Sequence, residues 1–243
     1  MKMKKKHPLT GRIRLLGLAA LMTTGLTLQA QTLLTVGHSD FAIDYDNGFV
    51  LGIGYDPLEN GNETDYAPNE ATWVALPGAH TTVPNDPLYS FLGTPGSSIW
   101  ILPQVQNPDL LFLGFGAEGI SSGTFLNDQL TLTLENVSGP GSFNVYRTDG
   151  FGNPDLWFSS ADAAGTDVQT IATGQHTHVN WAFSEPGTYT VTFQADAVLP
   201  DLSTTSSGPV TYTFQVDPVP EPATLALCGV GGLAAVVAFR RRK

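Results

Sequence analysis

The sequence predicts an all-β fold for residues 31–217: a two-sheet antiparallel β-sandwich, flanked by an N-terminal signal peptide and a C-terminal transmembrane helix. In this central part, apolar residues alternate with Thr, Ser or Asn over short segments, which is the period of a half-buried strand. Most of the chain's 26 glycines and 17 prolines lie in this central part, where they interrupt the segments and keep them short. No stretch before Ala223 keeps a helical period for three turns. About ten short strands without helices favour two packed sheets.

The first predicted hairpin has a register that the apolar residues decide. A two-residue turn would place the apolar faces of the two strands on opposite sides of the sheet. A three-residue loop that ends at Gly48 instead pairs Tyr45 with Phe49 and Phe41 with Ile53, so that both apolar faces lie together. The sequence therefore predicts the three-residue loop, with Gly48 in the left-handed conformation.

Further strands are predicted wherever apolar residues alternate between turn signals. They are Trp73–Leu76, Ile99–Leu102, Leu110–Phe115, Gln129–Leu134, Ser142–Thr148, His176–Phe183, Thr188–Ala195 and Val210–Val216. The segments 56–69 and 153–173 are polar and are predicted to be long loops.

The charges divide the chain into a negative centre and positive ends. Of the 11 basic residues, six precede residue 15, four follow residue 239, and Arg147 alone lies between them. Residues 31–217 contain 21 acidic residues, so their formal net charge is −20. This charge excludes nucleic acid as a partner, because binding a phosphate backbone requires basic side chains. The single cysteine, Cys228, lies in the tail, so the central domain has neither disulfides nor a cysteine-ligated metal.

Residues 1–30 have the order of parts that is typical of a secretory signal peptide. Basic residues extend to Arg14, an apolar run follows from Leu15 to Leu28, and the small Ala30 precedes the predicted cleavage site. A retained membrane anchor is the weaker interpretation, since about 14 apolar residues are too few to span a bilayer.

Residues 218–243 form a second targeting segment in three parts. A Pro-Glu-Pro motif at residues 218–222 precedes an apolar stretch at 223–239, and a basic cluster fills 240–243. The stretch is long enough for a short transmembrane helix. The basic cluster would stay in the cytoplasm, which places the central domain outside. The residues assigned to sorting are Pro220, Glu221, Pro222, Arg240, Arg241 and Arg242.

This three-part tail resembles a PEP-CTERM sorting signal. The resemblance implies a Gram-negative bacterium in which an exosortase-like enzyme cuts near Pro220–Pro222. It implies a chain first tethered in the inner membrane and then released to the cell surface or to an extracellular polysaccharide matrix. An exopolysaccharide is therefore an expected partner.

The central domain resembles the choice-of-anchor M domain of surface proteins. The matching residues are Gly37–Asp40, Phe91–Gly93, Trp100–Gln104, Gly139–Gly141, His176–Phe183, Pro186–Gly187 and Tyr189. Some relatives in that family accompany ABC transporters that import metals. The resemblance therefore implies metal handling with an ABC transporter as a partner.

Two pairs of residues in the central domain have the spacing of metal ligands. His176 and His178 are two apart on a predicted strand, so both project from one face together with Asn180. His38 and Asp40 repeat this spacing. On adjacent strands, the two pairs would offer three imidazoles and a carboxylate to zinc or another borderline divalent ion. The alternatives are hydrogen-bonded residues on a solvated sheet face, or contacts to a glycan or another ligand.

No motif in the chain predicts an enzyme. Leu58 and Ala67 occupy positions where a calcium-binding EF-hand needs oxygen ligands, which leaves only an irregular calcium site open there. No Gly-x-Ser-x-Gly elbow is present, and no pair among the acidic residues stands out as an acid and base. The leading hypothesis is a non-catalytic surface or matrix domain that acts through structure or binding. A metal-binding accessory domain for metal uptake is second, and a secreted hydrolase is third.

Overall fold

The computed structural model describes residues 31–161 and 167–217. The predicted signal peptide (1–30), sorting motif (218–222), transmembrane helix (223–239) and basic stop (240–243) lie outside the described residues. Within the two described segments, no helix is long and apolar enough to cross a membrane.

The described residues form seventeen strands and three short 3-10 helices. The strands are β1 (Thr32–Leu34), β2 (Gly37–Tyr45), β3 (Phe49–Asp56), β4 (Thr64–Tyr66), β5 (Ala71–Ala75), β6 (His80–Thr82), β7 (Ser98–Leu102), β8 (Leu111–Gly116), β9 (Gln129–Ser138), β10 (Phe143–Thr148), β11 (Pro154–Ser159), β12 (Val168–Ala172), β13 (His176–His178), β14 (Asn180–Phe183), β15 (Gly187–Val198), β16 (Thr204–Ser206) and β17 (Val210–Val216). The 3-10 helices are Pro77–Ala79, Pro87–Leu92 and Leu126–Asp128.

The strands pair into three sheets. The first has the order β1-β5-β17-β15-β9-β12 with β16 added to β15, the second has β11-β10-β14-β7-β6, and the third has β13-β8-β2-β3-β4. Three pairs are parallel: β1 with β5, β5 with β17, and β2 with β8. The all-β class is confirmed, but the described strands form three sheets where two antiparallel sheets were predicted. The first and third sheets are mixed, and the second is antiparallel throughout. Alternation identifies the buried face of a strand and contains no information about its partner or direction.

The first hairpin has the predicted register. Tyr45 pairs with Phe49, and Phe41 pairs with Ile53. The left-handed residue, however, is Asn47 with φ 54°, and the prediction of Gly48 was wrong. Asparagine is one of the few residues with a side chain that adopts this conformation readily. The burial pattern therefore predicted the length of the loop correctly, but it did not identify the residue with the left-handed conformation.

Two segments predicted as long loops contain strands. The first includes β4, and the second includes β11 and β12. β4 and β12 are edge strands with mostly exposed or half-buried residues, so they lack the apolar alternation on which the prediction depended. Conversely, the single strand predicted over 176–183 is divided into β13 and β14. The chain leaves the third sheet after β13 and enters the second sheet at β14.

Trp181 of β14 packs where the three sheets meet. Its ring centroid lies 5.0 Å from that of Phe115 in the third sheet and 5.6 Å from that of Phe214 in the first. Its indole Nε1 donates a hydrogen bond of 3.1 Å to the carbonyl oxygen of Leu113. All these side chains are buried. Trp181 therefore fixes β14, and the β13 residues that precede it, against the core.

Replacing Trp181 with alanine is expected to lower the free energy of unfolding by about 3–5 kcal/mol, because the large cavity spans the contact of three sheets. Val50, a β3 residue that is 57% exposed, provides the control. Val50→Ala should change the unfolding free energy by less than about 0.5 kcal/mol. Denaturant titration of both variants measures the difference, and equal stabilities would contradict the role given to Trp181.

Candidate metal centre

The two pairs of predicted ligands come from strands that flank a third strand. β2 holds His38 and Asp40, and β13 holds His176 and His178. β8 lies between them, parallel to β2 and antiparallel to β13. The two pairs therefore do not sit on adjacent strands. The four side chains must reach one another across β8.

Glycines on β8 leave room for this approach. Gly114 lies opposite Asp40 on one side and opposite His178 on the other, and Gly116 lies opposite His176. A Cβ atom on Gly114 would lie 2.7 Å from Asp40 Oδ1 and 3.0 Å from His178 Nδ1. Both separations are shorter than van der Waals contact allows. A side chain at position 114 would therefore fill the space in which the ligands meet.

The imidazole nitrogens converge on the Asp40 carboxylate. His176 Nε2 lies 3.3 Å from His38 Nε2 and 3.1 Å from His178 Nε2. Asp40 Oδ1 lies 3.2 Å from His176 Nε2, and Asp40 Oδ2 lies 3.3 Å from His38 Nε2. Ligands at about 2.0–2.1 Å from a tetrahedral ion are separated from one another by roughly 3.3–3.4 Å. These four separations are therefore close to those in the first coordination shell of such an ion, and the ligand atoms of all four residues lie within 4.8 Å of one another.

Glu118 fixes the orientation of His176. Its Oε1 lies 2.5 Å from His176 Nδ1. An imidazole that donates its Nδ1 proton to a carboxylate presents the lone pair of Nε2 on its other side. That lone pair faces Asp40 Oδ1, which is buried and has no well-aligned hydrogen bond within the described residues. A cation between these two acceptors would remove their repulsion.

The surroundings of His178 keep its imidazole neutral. Burial, and then the proximity of His38 and His176, lowers the pKa of His178 to about 3. Its ring stacks on Phe112, with the centroids 3.5 Å apart and the planes 5° from parallel. His178 therefore offers a metal a neutral imidazole without first having to release a proton.

Burial shifts the pKa of Asp40 in the opposite direction from that of His178. The residue is only 4% exposed. Burial raises the pKa of its carboxyl above the ordinary value, while His38 and His176 oppose this shift. Burying a carboxylate is unfavourable unless a positive charge compensates it. The site therefore combines a buried carboxylate with three imidazole nitrogens, a set of ligands that suits a divalent ion.

Asn180 and His80 do not belong to this cluster. Asn180 was expected on the histidine face, but its side chain forms hydrogen bonds with Gln104. Asn180 Nδ2 donates to Gln104 Oε1 at 2.9 Å, and Asn180 Oδ1 accepts from the backbone amide of Gln104 at 3.0 Å. The turn between β13 and β14 moves Asn180 into the second sheet. His80 lies on β6, also in the second sheet, with its ring against Trp100.

The side chains of Asp56 and Ser39 have structural partners. Asp56 accepts hydrogen bonds from the backbone amides of Leu58 at 3.2 Å and Gly61 at 2.7 Å, one on each carboxylate oxygen. Ser39 is buried, donates to the carbonyl oxygen of Gly54 and accepts from the Trp73 indole. Asp56 therefore closes a turn, and Ser39 holds two strands to the core.

A carboxylate-lined cavity of about 390 Å³ opens beside the histidine cluster. Its acidic lining consists of Asp40, Asp44, Glu63, Asp65 and Glu118. Asp40 therefore belongs both to the cavity and to the histidine cluster. Sequence reasoning missed Glu118 and the glycines of β8, because nothing local in the sequence marks residues that matter only once β8 lies between β2 and β13.

Comparison with known proteins identifies the tail. Residues 218–243 match the PEP-CTERM protein-sorting motif. No curated protein matches the chain significantly. The motif confirms the predicted sorting segment and shows an exported protein of the cell envelope that exosortase sorts. The resemblance of residues 31–217 to the choice-of-anchor M domain stays a prediction.

Substitution of Gly114 by alanine tests the geometry of the cluster. We expect Gly114→Ala to weaken Zn²⁺ binding by about 10–100-fold, the range seen when residues that orient metal ligands are changed. The control is Gly48→Ala, since a Cβ there meets nothing within 4 Å and the residue has no positive φ. Competition with a zinc-binding dye measures both affinities. Unchanged affinity in Gly114→Ala would contradict the assignment.

Proposed function

We propose that this exported protein is a non-catalytic metal-binding domain of the cell envelope, which holds a divalent ion of the zinc type through His38, Asp40, His176 and His178. The observation that carries the proposal is the convergence of three imidazole nitrogens and a buried carboxylate, in which His176 Nε2 lies 3.1–3.3 Å from the other two imidazoles and from Asp40. Export of the protein supports a role with metal ions outside the cytoplasm.

The ligand types favour a borderline divalent ion. Imidazole nitrogen suits zinc and its neighbours in the first transition row, whereas calcium and magnesium prefer oxygen ligands throughout. The four ligand atoms lie within 4.8 Å of one another, which is close enough for all of them to contact one ion. Zinc is the ion that this number and mixture of ligands fits best.

A hydrogen-bonded sheet face explains the same residues less well. If His176 donates its Nδ1 proton to Glu118, its Nε2 becomes an acceptor that faces another acceptor, Asp40 Oδ1, at 3.2 Å. A polar cluster without an ion would then leave this oxygen buried and poorly paired, which is costly. A bound cation pairs both atoms at once.

The number of ligands favours binding over catalysis. Four protein ligands complete a tetrahedral zinc site, whereas catalytic zinc sites keep one position open for water or substrate. Within residues 31–161 and 167–217, Ser39 is committed to structural hydrogen bonds and no other activated nucleophile is evident. These points support a binding role over the secreted hydrolase.

The tail gives the proposed site its place in the cell. In this proposal, residues 223–239 tether the chain in the inner membrane with residues 240–243 in the cytoplasm, and exosortase then cuts near Pro220–Pro222. The domain would reach the surface or the polysaccharide matrix. The resemblance to the choice-of-anchor M domain adds an ABC transporter for metals as the proposed recipient of the bound ion.

Elemental analysis tests the proposal directly. The full chain, purified in detergent without chelators or a histidine tag, is expected to contain about one zinc-type ion per molecule. His178→Ala should lose most of this metal because it removes a ligand. His80→Ala is the matched control, since His80 lies in another sheet. Asp40→Asn, which keeps the side-chain volume, should also lose metal. Metal-free wild-type protein, or full metal content in both site variants, would refute the proposal.

The orienting role of Glu118 gives a second test. Glu118→Gln is expected to weaken Zn²⁺ affinity by about 10–100-fold, because the glutamine cannot hold the proton on His176 Nδ1 as a carboxylate does. Glu135 is an exposed residue of β9 in another sheet, so Glu135→Gln should bind as tightly as the wild type. The absorption spectrum of bound Co²⁺ should also change in Glu118→Gln alone. Identical spectra and affinities would show that Glu118 does not orient His176.

A further inference from the structure

The carboxylate-lined cavity beside the metal centre is built by residues from separate parts of the chain. Asp44 lies on β2, and Asp65 lies on β4 two strands away. Glu63 precedes β4, and Glu118 follows β8. The third sheet therefore gathers four carboxylates on the face that already holds Asp40.

Glycines allow the carboxylates to lie over the sheet. Gly54 is paired with Asp40 on one side and with Asp65 on the other, and the Glu63 carboxylate occupies the position that a Cβ of Gly54 would take. A Cβ on Gly116 would lie 2.6 Å from Glu118 Oε2. Glycines therefore make room for the carboxylates of the cavity, as Gly114 does for the histidine cluster.

The cavity ends at a metal ligand. Asp40 lines it, is 4% exposed, and has no well-aligned hydrogen bond to its Oδ1 within the described residues. His38 and His176 contact the same carboxylate. Two residues of the cavity lining therefore contact the histidine cluster: Asp40, and Glu118 through His176 Nδ1.

Positive charge is missing from this part of the protein. Arg147 is the only basic residue between positions 15 and 239, and it lies on β10 of the second sheet. Burial and then neighbouring carboxylates raise the pKa of both Asp44 and Glu63. The crowded carboxylates therefore attract cations from solution, and the cavity lining contains no lysine or arginine.

The size and spacing of the lining suit an ion that keeps its water. Among the described residues, only His38, Asp40, His176 and His178 bring ligand atoms close enough to hold an ion directly. A water molecule occupies about 30 Å³, so a cation with six waters fits within the cavity of about 390 Å³. The carboxylates would contact such an ion through its hydration shell.

We propose that the carboxylate cavity captures hydrated divalent cations and delivers them to the histidine cluster through Asp40, so that Asp44, Glu63 and Asp65 set the rate of metal binding. This inference rests on the proposed metal-binding function and adds the route by which the ion arrives. The ion loses its waters as the Asp40 carboxylate and the three imidazoles replace them.

Stopped-flow mixing of the full chain with Co²⁺ tests the route. The double variant Asp44→Asn/Asp65→Asn should bind Co²⁺ about tenfold more slowly than the wild type at low ionic strength, and the difference should shrink at high salt. Its dissociation rate, measured by chasing with EDTA, should change by less than about threefold, because charges around a site act mainly on association. Glu63→Gln, which alters a different element, should show a smaller decrease in the same direction.

The control removes the same amount of charge elsewhere. Glu135→Gln/Glu185→Gln changes two exposed residues outside the cavity and should bind Co²⁺ at the wild-type rate. Wild-type association rates in Asp44→Asn/Asp65→Asn and in Glu63→Gln would overturn the inference. So would an equal slowing in the control, or a faster dissociation without slower association. Wild-type protein that binds no Co²⁺ at all would instead refute the metal centre itself.

Discussion

The close approach of β2 and β13 side chains across β8 is the constraint on which the candidate site depends. Two ligand strands separated by a third strand cannot normally join their side chains, because the middle strand places its own between them. Gly114 and Gly116 remove that obstacle. Three imidazoles and a carboxylate can then approach one another above the backbone of β8. The candidate site depends on these two glycines.

The aromatic core keeps this approach rigid. Trp181 follows β13 by three residues and is packed against rings from the other two sheets. The change of sheet between β13 and β14 leaves the short histidine strand anchored on one side by Trp181 and on the other by its pairing with β8. The candidate ligands are therefore positioned by packing that lies beneath the sheet.

The charge distribution gives the site its proposed selectivity. A domain with a formal charge of −20 and a single arginine attracts cations of every kind. The imidazoles then favour ions of the zinc type over the calcium and magnesium that carboxylates alone would hold. Export by the sorting tail places this cation-attracting surface at the cell envelope. In this proposal, the negative charge attracts cations to the domain, and the imidazole ligands select zinc-type ions among them.

The sequence by itself determined the targeting tail, the all-β class, the first hairpin register and the identities of all four candidate ligands. Each of these depends on local order: hydropathy and charge in the tail, and side-chain alternation within one strand. Only the tertiary structure decided that β8 separates the ligand strands, that Glu118 orients His176, and that Asn180 turns away into the second sheet. The physical reason is that pairing partners are chosen by burial across the whole fold. A strand's own residues specify which face is buried, but not which strand lies beside it.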